Sequence, residues 1–157
     1  MNYLIITSLI VMLFSCSSTN HDEAQSHINL KVTQPPIKLS TFITVNRFPP
    51  RYPMKEASSG IQGCATVEYV VTREQKIKDV RVIDSTNKNF AKEAKKVVSK
   101  WDWTGLKSDL LKSSLKAQTR FEYCLEDGSG SCSMSNLLAK TQCSGSDVVA
   151  SIGYRVK

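Results

Sequence analysis

Five cysteines and two histidines are the residues of this chain whose chemistry depends most on spacing. Cys16 stands apart near the N-terminus. Cys64, Cys124, Cys132 and Cys143 then form an even set, which allows three disulfide pairings. There is no CxxC, which argues against a thioredoxin-like redox centre, and no close Cys/His spacing of the kind a structural zinc site needs. His21 and His27 both fall in a polar N-terminal stretch. The carboxylates Glu68, Asp79 and Asp84 sit on strand faces or turns without forming a recognisable acid/base pair. No nucleophile, base and orienting group fall together, so the expectation is a non-enzymatic chain that needs no cofactor and no metal.

The elements that position these residues follow from length and patterning. The chain has 157 residues, a formal charge of +7, 41% hydrophobic and 22% charged residues. That suits one domain plus tails, with a compact unit of about 80 to 110 residues. Residues Met1 to Ser15 carry no charged side chain, and Tyr3 to Phe14 is an apolar run broken only by Thr7 and Ser8. Twelve helical residues reach roughly 18 Å against about 30 Å of hydrocarbon, so the run fits a signal-peptide core better than a membrane span.

The run ends Leu13-Phe14-Ser15-Cys16 and resembles a bacterial lipobox. That resemblance implies cleavage before Cys16, lipidation of Cys16, and a protein held by more than one acyl chain, as stable anchoring requires. Ser17 stands where an inner-membrane retention signal would have Asp, which favours the periplasmic face of the outer membrane. An oxidising compartment suits four further cysteines. Every Lys and Arg follows residue 30, and the basic balance suits anionic lipid headgroups or envelope polymers; nucleic acid is not expected of an exported protein.

Four segments result: a signal peptide at 1–15, a lipidated tether at 16–46, a domain at 47–127 and a Cys-containing extension at 128–157. The tether carries Pro35-Pro36 and spans about 30 Å as coil or about 100 Å extended. Arg47 to Pro53 holds three prolines and reads as extended, Met54 to Ser59 as one helical turn, and Gly60 as its stop. From Gly63, Ala65, Val67, Tyr69 and Val71 alternate against Cys64, Thr66, Glu68 and Val70, the mark of a strand with one core face. Ile77 to Ile83 completes a hairpin whose turn lacks the expected Gly. Phe90, Ala91, Ala94, Val97, Val98 and Trp101 recur at helical spacing against a lysine-rich face, with Trp101-Asp102-Trp103 ending the helix. Gln118 to Leu125 is a third strand. Beyond Gly128, a helical turn at Ser135 to Lys140 and a short strand at Val148 to Val156 complete the pattern.

This order resembles the C-terminal domain of the TonB family. The match is carried by Tyr52-Pro53, Ala57, Gly60-Ile61-Gln62-Gly63, the alternating strand through Val71, Asp79 to Ser85, Phe90, Ala94, Val97-Val98, Trp101-Asp102-Trp103 and Gln118-Thr119-Arg120-Phe121, over about Phe48 to Glu126. The implied fold is α+β: a small antiparallel three-stranded sheet, ββαβ, in the order second, first, third, with one amphipathic helix on one face. In that topology Cys64 and Cys124 fall at neighbouring strand ends, implying a Cys64–Cys124 bridge and leaving Cys132–Cys143.

Family members bind outer-membrane transporters by strand addition. Carried over, the partner surface is the edge of the third strand, Gln118, Arg120 and Glu122, with Arg51 and Tyr52 beside it. Tyr52 serves equally as a core cap, and Arg120 and Glu122 as solvated edge charges. A strand at Val148 to Val156 would occupy that same edge. Family transducers have an inner-membrane helix and a long Pro-rich spacer; here a lipobox and a short tether stand instead. The expectation is therefore a lipid-anchored module binding an outer-membrane transporter or another envelope protein, the alternatives being a structural envelope lipoprotein and a transducer with an uncleaved anchor.

Overall fold

Alternation and turn chemistry build the sheet directly. In a computed structural model, which describes residues 30–32, 45–106, 111 and 113–155, a short helix α1 (Met54–Ser58) precedes β1 (Gly63–Val71) and β2 (Ile77–Ser85). Helix α2 (Lys88–Val98), strand β3 (Leu115–Glu126), helix α3 (Met134–Leu138) and strand β4 (Val148–Tyr154) follow. The apolar run 3–14, Cys16 and most of the tether lie outside the described residues.

The hairpin turn manages without glycine because Gln75 takes φ +60°, and its side-chain amide donates to the Leu106 carbonyl at 2.8 Å. Asn87 caps α2 by accepting from the Asn89 N–H at 2.8 Å. The helix stops at Val98, three residues before Trp101. Trp101 and Trp103 instead belong to an extended segment in which Asp102 bridges Asn46. Alternation there buries both indoles and leaves Asp102 exposed, because residues two apart share a side of an extended chain.

The sheet order is β2-β1-β3-β4. Strand β1 runs antiparallel to both neighbours, and β4 lies parallel to β3. The expected second, first, third order holds, but the sheet is four-stranded and mixed rather than three-stranded and antiparallel. A parallel neighbour needs a crossover, and residues 127–147, with α3, provide one. They pass over the face opposite α2.

Each face therefore has its own cover. Phe90, Ala94, Val97 and Val98 of α2 close one face against Ala65, Val67, Tyr69, Phe121 and Tyr123, with Trp101 and Trp103 at the edge. Phe90 stacks on Tyr123 at 4.2 Å between ring centroids. On the other face, Leu137 packs with Cys124 and Cys132, against Val148 and Ala150.

The disulfides are Cys64–Cys143 and Cys124–Cys132, which corrects the implied pairing. All four cysteines are used, but the register opposes Cys64 to Glu122, leaving Cys124 on the diagonal. Diagonal partners sit about 7 to 8 Å apart, beyond the usual disulfide span. The turn at Gly128 to Ser131 instead returns Cys132 to Cys124, and the crossover brings Cys143 over Cys64.

Replacing the Cys64–Cys143 pair by serine is expected to cost about 4.5 kcal/mol, and the Cys124–Cys132 pair about 2.6 kcal/mol, from the difference in loop length. Urea unfolding of the two double variants under oxidising conditions measures both. Equal losses would contradict the assignment.

Candidate interaction surface

The outer face of β3 is polar in sequence and buried in space. Arg120 is 5% and Glu122 1% exposed. The Arg120 guanidinium donates to four carbonyls of the crossover, Leu137 at 3.1 Å, Leu138 at 3.3 Å, Lys140 at 2.8 Å and Cys143 at 3.1 Å. Its Nε also lies 3.1 Å from Glu122 Oε1, an ion pair without hydrogen-bond alignment. Burial raises the Glu122 carboxyl above the usual range, against the opposing pull of Arg120 and Lys140.

These two residues therefore do not face a partner, and β3 is not an edge. The reason is that a polar alternate face reads as solvated whether water or another segment of chain covers it. Gln118 is half-buried and donates to Glu68 Oε2 at 2.9 Å. Burial also pushes Glu68 up, but hydrogen bonds from Gln118 and Arg81 and the charges of Arg81 and Lys116 outweigh it, leaving the carboxyl below the usual range. Thr66 completes the tie by donating to the Ser144 carbonyl at 2.6 Å.

Of the N-terminal residues, Tyr52 is the core cap. Its ring meets Phe90 and Tyr123 edge-on, and its hydroxyl donates to the Ile61 carbonyl at 2.6 Å. Burial, then the nearby Glu56 charge, pushes that hydroxyl to about 12. Gly153 of β4 lies beneath the ring, where a Cβ would come within 2.7 Å of it. Ser151 donates to the Pro50 carbonyl at 2.9 Å, so the proline segment and β4 hold one another. Arg51 alone of the predicted partner residues is exposed, on a groove beside α2.

Arg47, which the sequence did not single out, pairs with Asp147 and lies 4.8 Å from the Trp101 ring centroid. Asp147 also accepts from Thr119 Oγ1 at 2.6 Å, and Thr119 meets the Tyr69 hydroxyl at 3.0 Å. Burial drives that Tyr69 hydroxyl to about 12. This chain of contacts fixes the residue just before β4.

Among the described residues, the edges of the sheet are β2 and β4. Strand β2 is poorly suited to take another strand: two register shifts break its pairing, Asp79 has φ +51°, and Lys78, Asp79 and Arg81 are charged. Strand β4 is uncharged, Val148 to Tyr154, and pairs with β3 without a shift. The Arg120 N–H donates to the Asp147 carbonyl at 2.8 Å. By the alternation of a parallel ladder, the backbone groups of Val148, Ala150, Ile152 and Tyr154 then point away from β3. Ile152 is 41% and Tyr154 71% exposed.

Residues 49–125 match the family model of the Gram-negative bacterial TonB protein C-terminal. That span is just under half of the chain and ends before the crossover and β4. A solved structure, the solution NMR structure of the Pseudomonas aeruginosa TonB CTD, is similar at 24% identity and a TM-score of 0.47, covering 54% of this chain and 89% of that one. No curated protein matches the chain. The matched residues hold α1, β1, β2, α2 and all but the last residue of β3, and the second cover and the fourth strand lie beyond them.

Arg120→Leu is expected to destabilise the protein by about 3 to 5 kcal/mol, since it strips the crossover carbonyls of donors and strands Glu122. Urea denaturation measures it. The two buried glutamates predict opposite pH slopes. Glu68, held low when folded, contributes stability in full above the unfolded value of about 4.3, and that contribution is lost as pH falls through its folded value. Glu122, held high, weakens the fold as pH rises from about 4.3 through its folded value. Glu122→Gln is therefore expected to flatten the stability decline above about pH 4.3, and Glu68→Gln to flatten the decline below it. Unfolding measured from pH 3 to 8 tests both signs.

Proposed function

We propose that this chain is a lipid-anchored protein-interaction module of the TonB C-terminal type, held through Cys16 at the periplasmic face of the outer membrane, and non-catalytic. It takes an extended segment of an envelope protein, an outer-membrane transporter among the candidates, along the free edge of β4. The observation that carries this reading is the contrast between the edges: β4 is regular and uncharged, whereas β2 is bulged and charged.

The edge of β3 is a poor candidate for this role, because β4 pairs with it from Arg120 to Glu126, Val32 bridges Lys116, and two disulfides hold the crossover in place. A module that takes a partner there would have to release four hydrogen bonds to Arg120 and a parallel ladder first. Motor-coupled energy transduction by β3-edge capture is accordingly not part of the proposal. A basic chain also suits an anionic membrane surface beside the anchor.

A second reading, the structural envelope lipoprotein, draws on the same covered face: a domain that has closed its own binding edge serves as a rigid building block. Photo-crosslinking in cells from Ile152 or Tyr154, with Lys78 on β2 as the control position, separates the two. Capture of an envelope protein through an extended periplasmic segment, from β4 only, is the expected result. Adducts from neither edge, or equally from both, would overturn strand addition at β4 and favour the building block.

A further inference from the structure

The polyproline-like segment and α2 enclose a groove of about 460 Å³. Phe48, Pro49 and Arg51 form one wall, Glu93, Lys96 and Lys100 the other, with Val97 buried at the base. The first wall is rigid: Trp101 Nε1 donates to the Phe48 carbonyl at 2.8 Å, and Arg47 sits over the same indole while paired with Asp147. Phe48 nonetheless leaves 41% of its surface exposed at the rim. Arg51, Lys96 and Lys100 are all exposed and make no ion pair among the described residues. Three cations against one carboxylate therefore face an open groove that contains an unburied aromatic ring.

The spacing along α2 selects a ligand shape. Lys96 lies in the last turn of α2 and Lys100 in the tighter turn that continues it, where the Lys100 N–H donates to the Val97 carbonyl at 2.9 Å, so the two are separated by a rise of about 6 to 7 Å. Alternate residues of an extended chain repeat at about 6.6 Å. A strand-like peptide lying along the helix would thus set acidic side chains two residues apart against the two lysines, with intervening apolar side chains on Phe48, Pro49 and Val97. Glu93, about 4.5 Å earlier along the axis, disfavours a third anion there and favours a cation. We propose that this groove binds an extended acidic peptide segment of a partner protein, with the pattern cation, apolar, acid, apolar, acid. It shares no residue with the β4 edge, so either reading can fail while the other stands.

The probe is a capped, fluorescein-labelled peptide with one lysine followed by two aspartates, each separated by a leucine, added to the full chain in detergent micelles. Saturable binding read by anisotropy is expected, weakened at least tenfold by Lys96→Glu/Lys100→Glu and little changed by Lys92→Glu/Lys95→Glu, which lie on exposed helix surface outside the groove. An isomer with the lysine between the two aspartates, whose charges match the groove in neither chain direction, should bind more weakly, and Glu93→Gln should reduce that discrimination. No binding, or equal loss in both lysine pairs, overturns the site. So does binding of phosphatidylglycerol vesicles that depends on Lys96 and Lys100 without any binding of the peptide, which would make the cations a membrane contact.

Discussion

A single buried guanidinium ties the two halves of this molecule together. Arg120 projects from the centre of β3, and its donors are used by carbonyls at 137, 138, 140 and 143, all on the crossover. A buried arginine is tolerable only when its charge and its donors are both met. Here peptide dipoles meet most of the donors and Glu122 supplies the opposite charge. The arrangement specifies the path of the chain, because a crossover displaced by a few ångströms would leave four carbonyls and the guanidinium that serves them without those hydrogen bonds at once. The position of β4 follows from that path, with Cys64–Cys143 fixing its far end.

Once β4 is placed, the character of the sheet changes. A three-stranded sheet would expose β3 as an edge and leave its polar face in water. Adding a parallel strand and a covering segment turns both into interior, and the open edge moves outward by one strand, from Gln118–Glu126 to Val148–Tyr154. The chain supplies intramolecularly the kind of strand that strand addition supplies from a partner. An intramolecular strand loses far less entropy on docking than a free peptide, since its N-terminal end is already held close by the Cys64–Cys143 disulfide and the Arg47–Asp147 pair.

The parts legible in the sequence were those set by local periodicity. Alternation from Gly63 to Val71 and helical spacing from Phe90 to Val98 define their elements because burial on one face leaves a repeating trace. The strand order second, first, third was legible too, since a helix crossing back leaves few alternatives. Trp101 and Trp103 misled over the helix end, because residues at i and i+2 around one Asp fit an extended segment as well as a fraying turn. The strand at Val148 was visible as a strand, yet nothing local assigns its neighbour or its direction. The cysteine pairing depended on a one-residue offset, Cys64 opposite Glu122, that no sequence pattern sets. Arg120 and Glu122 were read as surface for the same reason: covering one polar strand face with another part of the chain leaves no periodic trace in either.

Charge shows the same division between local and long-range causes. The lysines of α2 stand on the face of an amphipathic helix that points away from the core, and their exposure was predictable from Phe90, Ala94 and Val97 alone. Arg51 is exposed for a different reason: Tyr52, its neighbour, must turn inward to cap Phe90 and Tyr123, and extended backbone then turns residue 51 outward toward Lys96 and Lys100. The cationic groove is thus a by-product of core packing on one side and helix amphipathicity on the other. It persists because the proline segment is held by Trp101 and Ser151 and cannot relax to separate the like charges. Concentrating three cations that make no ion pair among the described residues at that seam works against the fold, and the cost is relieved by an anionic ligand or by salt, so an anionic ligand of the groove should stabilise the protein most at low ionic strength.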